Sequence, residues 1–164
     1  MSTTVRSQLF LPAAVDAGRE GVATHAELIA AGMAKSTIMW RIQPGGRWQR
    51  LLPGVVLMHS GRPTGRERLL GALAYAGPDS VLTGMSALRL YGLRTADSRR
   101  VHVLVPHDRR RQSHAFATVE RTRYLPTRDQ IRTVGLLPTA NLAAYSPRFE
   151  PLFSCGLSRR SRVG

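Results

Sequence analysis

The stretch Thr24–Met58 constrains this chain most, because two helix signals, a tight turn, a double-glycine break and a hairpin signal follow one another with little between them. Thr24 stands three residues before Glu27, so each side chain can satisfy the other's exposed backbone N–H, and this capping box predicts a helix start. Leu28 and Ile29 supply a short apolar stripe, and Gly32 stands where a helix ends most cheaply in a left-handed residue. The next helical segment begins near Lys35. A glycine-containing turn of roughly three residues between short helices is the spacing of a helix-turn-helix, and helices joined in this way cross instead of lying parallel.

In the second segment Ile38 and Ile42 lie one turn apart and mark the buried side, since positions i and i+4 stack on one face. At about 100° per residue, the opposite face carries Ser36, Trp40 and Gln43, flanked by Thr37 and Met39. Gly45-Gly46 then breaks the chain, and Arg47–Leu52 and Val55–Met58 form two β-prone runs about a Pro53-Gly54 turn. A basic hairpin after a recognition helix is a wing, placed to bring Arg47 and Arg50 to phosphates or a minor groove. Small helical domains that never touch nucleic acid share this pattern, so DNA contact is a separate expectation from the fold.

The composition agrees with a polyanionic partner. Of 164 residues, 24 are basic and 10 acidic, a formal net charge of +14, and Lys35 is the only lysine. Each neutralised phosphate releases counterions, so binding that weakens steeply with salt is expected. An arginine-rich, lysine-poor chain is also what GC-rich coding yields, which makes the charge modest support. The length allows one domain or two small ones with a real core. Cys155 has no second thiol for an internal disulfide or a Cys-x-x-Cys site, which fits a reducing cytosol. The apolar run Leu9–Val15 is interrupted by Pro12 and stopped by Asp16, too short for a signal peptide or membrane span. The expectation is a cytoplasmic protein without membrane association.

Taken in order, residues 1–9 read as a loose start, and Pro12 opens a helix to about Gly18 whose Leu11 and Val15 would back the helix-turn-helix. Arg19–Gly21 form a turn, and Val22-Ala23 a short strand pairing with the wing. Ser60–Gly65 is a turn-rich connector. Beyond it a helix is expected over Arg66–Ala76, with Leu69, Leu70 and Leu73 on one stripe, and another over Met85–Tyr91, with Thr83 as N-cap and Gly92 as C-cap. The period then changes to that of strands at Val101–Val105, Phe116–Arg121 and Ile131–Leu136. The basic segment Asp108–Ser113 reads either as a solvated hairpin tip or as a phosphate contact. The fold class is α+β: a winged helix-turn-helix over 1–61, a small α+β domain over 62–140, and a poorly ordered tail over 141–164.

The run Gly21–Thr24, the first helix, Ala31-Gly32-Met33, the second helix and Gly46–Leu57 resembles the N-terminal winged helix of AbiEi-type antitoxins, transcriptional regulators of type IV toxin–antitoxin systems. Gly84–Leu93, Val101–Pro106 and Gly135–Thr139 are similar to that family's second domain, so the resemblance spans residues 18–140. It implies an autorepressor that binds double-stranded promoter DNA and is functionally linked to a nucleotidyltransferase toxin, which it counters without a stable complex. The second domain would carry antitoxicity or further DNA contact. Three departures matter. The family carries arginines near Met39 and Trp40 and a serine cap at Ala34, and after Thr139 it continues into a helix that this chain replaces with Asn141–Pro151. That last change points to truncation or a shifted reading frame.

Many relatives end in a domain resembling a Vsr-type endonuclease, which raises the question of nuclease chemistry. Such sites need carboxylates converging on a divalent cation, commonly with a lysine two residues after one of them. Lys35 follows Met33 and Ala34, and no such triplet exists here. His25, His59, His102, His107 and His114 lack the i, i+4 spacing or cysteine company of a zinc site. Gly84–Leu88 lacks the second glycine of a nucleophile elbow, and there is no phosphate loop. No enzyme activity and no cofactor are expected.

The residues expected to meet DNA are Ser36, Thr37, Trp40 and Gln43 from the recognition helix, Lys35 and Arg41 on phosphates, and Arg47 and Arg50 from the wing; Trp48 is assigned to the core beneath. The competing readings are a protein-interaction module in which Met39-Trp40 hold a partner, since Trp is enriched at interface hot spots, and a truncated relative of an endonuclease-domain protein without catalysis. The sequence leaves the oligomeric state and the operator open.

Overall fold

Paired Thr and Glu side chains start two of the helices. In the computed structural model, which describes residues 20–94, 99–126, 131–134 and 137–140, Thr24 caps α1 (His25–Ala30). The Glu27 N–H donates to Thr24 Oγ1 at 3.1 Å, and the Thr24 N–H donates to Glu27 Oε2 at 2.8 Å. The same reciprocal pair recurs unforeseen at α3 (Gly65–Ala76), where the distances are 3.2 Å from Glu67 N to Thr64 Oγ1 and 2.7 Å from Thr64 N to Glu67 Oε2. Gly32 lies just past α1 at φ +89°, so the helix ends in the left-handed region that only glycine enters without strain.

The first sheet is antiparallel with order β1-β3-β2, built from β1 (Val22–Thr24), β2 (Gln49–Leu52) and β3 (Val55–Leu57). Between β1 and β2 come α1 and α2 (Lys35–Arg41). Alternation along the strands decides what each face buries. Ala23 and Val56 turn to one side, where Leu28 of α1, Ile38 of α2 and Trp48 close a small core. Val22, Val55 and Leu57 turn to the other, where they meet Leu70 and Leu73 of α3. Both faces of this sheet are therefore covered, which is why β3 reads as a continuous apolar run, Val55-Val56-Leu57.

The second sheet has order β6-β5-β4-β8-β7 and is mixed. It comprises β4 (Val81–Leu82), β5 (Val101–Pro106), β6 (Ala117–Thr122), β7 (Ile131–Val134) and β8 (Leu137–Ala140), with α4 (Gly84–Leu90) between β4 and β5. Val101, Val103 and Val105 point to the same cluster that holds Leu70, Leu73 and Val22. α3 is thus packed between the two sheets, and one core continues across the connector at residue 61. The connector is tied down as well. His59 bonds Glu67 Oε1 at 2.8 Å through Nε2 and accepts the Gly61 N–H at 3.0 Å through Nδ1, while the Gln49 amide donates to the His59 carbonyl at 3.0 Å.

The architecture is α+β, with mixed helices and sheets among the described residues. Several local expectations need correction. α4 ends at Leu90 with Tyr91 as C-cap, one residue before Gly92, and Thr83 is its N-cap without a side-chain bond. The strands β4 and β8 are additions to the expected set: β4, of two residues, is too short for periodicity to register, and β8 carries Pro138, which argues against a strand. The strand expected over 131–136 is β7, ending at Val134. β5 and β6 pair in parallel, Val101 against Ala117 through Pro106 against Thr122, so the segment between them is a crossover and not a hairpin tip. The helix expected at Pro12–Gly18 and the tail over 141–164 lie outside the described residues. Among the described residues, no helix is long and apolar enough to cross a membrane.

Candidate nucleic-acid interface

What lies beneath α2 sets what it presents outward. Ile38 is fully buried, and Met33 and Ile42 pack at the edge of its cluster. Lys35 and Ser36 are exposed, Thr37 is half-buried, and Met39 and Trp40 are 40 % and 69 % exposed. One site residue departs from its expected place. α2 ends at Arg41 with Ile42 as C-cap, so Gln43 is not on the helix. It sits exposed in the following turn, donating its N–H to the Trp40 carbonyl at 3.4 Å and accepting from Gly46 N–H at 2.8 Å. Pro44 explains this, since a residue before proline is pushed out of the helical region.

That turn folds the hairpin back under α2. A Cβ on Gly46 would stand 2.2 Å from the Arg41 carbonyl oxygen and 2.8 Å from that of Gln43, so only glycine allows the approach. Trp48 N–H then donates to the Arg41 carbonyl at 3.0 Å, and the Trp48 ring is buried against Ile38 and Val56. The Arg41 guanidinium lies 4.6 Å from the centre of that ring, half-buried in a cation–π contact. Arg41, expected on a phosphate, thus also packs against the ring that supports α2.

Arg47 is exposed but precedes β2 instead of lying within it, and Arg50 is exposed on β2 opposite Val56. A bulge between Arg50 and Leu52 follows. Leu51 there packs onto α3 closely enough that a Cβ on Gly71 would come within 2.3 Å of its Cδ2.

His25 has a place that its sequence spacing, which speaks only to metal ligation, does not reveal. Its N–H donates to the Gly54 carbonyl of the hairpin turn at 2.9 Å, and its Nε2 is buried with no hydrogen-bond partner. Burial first, then the positive charges of Arg50 and Lys35, hold its pKa below the ordinary 6.5. The hairpin's Arg50 and Lys35, the first residue of α2, thus both act on one imidazole. Glu27, the carboxylate of α1, is turned to Thr24. Lys35, Ser36, Arg47 and Arg50 are all exposed, and Trp40 is exposed on the same helix as Lys35 and Ser36.

The basic crossover is arranged differently. Arg109 Nη1 donates to the Ala76 carbonyl at the end of α3 at 3.5 Å, the Arg111 guanidinium lies 5.1 Å from the centre of the Tyr75 ring, and Tyr75 Oη donates to the Gln112 carbonyl at 2.9 Å. Among the described residues no group of three or more His, Cys, Asp or Glu is placed to hold a metal ion.

No protein-family model matches the chain, and no curated protein matches it closely enough to lend a function.

Proposed function

We propose that the chain is a DNA-binding regulator of the winged-helix kind, with α2 entering the major groove and the β2–β3 hairpin acting as the wing. The observation that carries this reading is that Lys35 and Ser36 of α2 and Arg47 and Arg50 of the hairpin are all exposed, while Ile38, Trp48 and Val56 form the core that joins the two elements. Ser36 and Thr37 would approach base edges, Lys35, Arg47 and Arg50 would take phosphates, and Gln43 would act from the turn after the helix. The sequence resemblance to AbiEi-type antitoxins extends the proposal to an autorepressor paired with a nucleotidyltransferase toxin.

The test is a titration of the protein against its own upstream DNA and a shuffled competitor at two salt concentrations. Preference for the upstream fragment that survives the higher salt supports a sequence-reading regulator. Equal binding to both, lost with salt, reduces the interaction to arginine electrostatics and rejects it.

One observation favours a second reading. Trp40 at 69 %, Ile29 at 49 % and Met39 at 40 % exposure form the apolar part of the α1–α2 surface, and exposed Trp is typical of protein interfaces. On this reading, Trp40→Ala abolishes capture of a protein partner while DNA retention stays unchanged.

A further inference from the structure

α3, α4 and the start of β5 line an open cavity of about 400 Å³ well apart in sequence from α2 and its hairpin. Four arginines from three places stand around it: Arg66 and Arg68 on α3, Arg89 on α4, and Arg100 just before β5. Among the described residues, no acidic one lines it. All four have partners of their own, which fixes them in position. Arg66 is ion-paired with Glu20, and Arg68 donates to the Arg99 carbonyl while its guanidinium lies 4.7 Å from the centre of the Phe116 ring. Leu69, Leu90, Val101 and Leu137 make an apolar wall. The Ser86 hydroxyl, which also lines the cavity, accepts the His102 N–H at 3.1 Å and keeps its own O–H as a donor.

We propose that this cavity binds a small phosphate-bearing molecule with an aromatic or apolar body, of about the size of a mononucleotide. Its volume lies within the range of small-ligand sites, roughly 300–1,000 Å³. Guanidinium groups match phosphate oxygens in pairs and carry five N–H donors each, so arginines already held by one partner present further donors in fixed positions along the cavity wall. Inorganic phosphate would leave the leucine wall unfilled, and a duplex is convex and too wide to enter. The site shares no residue with the surface proposed to meet DNA, so it would act as an effector site whose ligand bears on α3, the helix packed between both sheets.

The test is calorimetric titration of the full chain with three probes, ATP, inorganic triphosphate and adenosine, repeated with Arg89→Gln and with Arg89→Glu/Arg100→Glu, each checked for an unchanged melting curve. Arg47→Ala in the hairpin is the control. The expected result is that ATP binds at least about tenfold more tightly than triphosphate or adenosine alone, that Arg89→Gln weakens it several-fold, that the double variant abolishes it, and that Arg47→Ala leaves it unchanged. Should the double variant fail to fold, Arg89→Gln alone decides. Absence of ATP binding, or ATP binding unaltered by Arg89→Gln, overturns the proposal. So does a double variant that folds, keeps ATP and loses duplex DNA, because the arginines then belong to a nucleic-acid surface.

Discussion

Two arginine-bearing segments of this chain look alike as sequence and differ in what the fold does with them. In the hairpin, Arg47 and Arg50 are exposed over a core that belongs to other residues, Ile38, Trp48 and Val56. In the crossover 107–116, Arg109 reaches the Ala76 carbonyl and Arg111 lies over Tyr75. The carbonyls at the end of α3 lack intrahelical partners, and a cation there also meets the negative end of the helix dipole. The crossover therefore uses its charge to bind chain to chain, whereas the hairpin displays it. A count of basic residues merges these two roles, and only the neighbouring element separates them.

The most severe way to break this contrast is to detach the hairpin. Gly46→Val would set side-chain carbon 2.2 Å from the Arg41 carbonyl oxygen, which no rotamer relieves because the obstruction is backbone. The expected loss of stability is about 3 kcal/mol, at the upper end of ordinary single substitutions. DNA binding should fall with it, since Arg47 and Arg50 lose their station beside α2. Urea melts and DNA titrations on the same sample check both, and a variant as stable as wild type would mean the hairpin does not depend on this turn.

Next in size is the node that joins the two halves. Glu67 is buried, which alone would raise its pKa, but the Thr64 N–H, His59 and the Thr64 hydroxyl outweigh that and hold it below 4.5. The unfolded chain then binds more protons in this window, so the stabilisation is complete above about pH 4.5 and is lost as pH falls through the depressed folded value. Glu67→Ala should cost about 2 kcal/mol near pH 7 through loss of the cap and of the bond to His59. Glu67→Gln should flatten the acid limb of the stability curve, and an unchanged limb would assign that limb to other carboxylates.

The legible part of this molecule is local. Thr24-Glu27, Gly32, the Ile38 side of α2 and the Pro53-Gly54 turn each carry a short-range reason, and each element stands where that reason puts it. Gln43 falls off the helix because periodicity cannot be extended across a residue that Pro44 restricts. The parallel pairing of β5 with β6 was illegible for another reason, since strand direction depends on where the crossover finds a partner, and that partner, Tyr75, lies 37 positions from Gln112. His25 and the four arginines of the cavity gave no signal, because no spacing rule links residues brought together from separate elements.

A direct exchange between the two arginine pairs comes third. Arg109→Ala/Arg111→Ala should cost about 1 kcal/mol of stability, from a helix-end hydrogen bond and a cation–π pair, with the salt slope of DNA binding unchanged. Arg47→Ala/Arg50→Ala should leave stability within about 0.5 kcal/mol and lower that slope by about 1 for each phosphate no longer neutralised. The opposite assignment of these results would place DNA binding on the crossover.

The smallest expected effect on stability is at Trp40, and it is the most informative about what the displayed surface meets. With 69 % of its surface exposed, the indole contributes little to the fold, and Trp40→Ala should shift the unfolding free energy by no more than about 0.5 kcal/mol. Any larger change in binding is then a property of the interface. Trp40→Arg discriminates further, because it introduces a cation at this position. On the DNA reading, the added cation should raise affinity for all sequences and steepen the salt slope by about 1. On the protein-interface reading, the same substitution should remove the partner as completely as alanine does, since a hot-spot indole is held by packing that a guanidinium cannot reproduce. The two substitutions together therefore separate a surface that meets phosphates from one that meets a protein, in a fold that both leave intact.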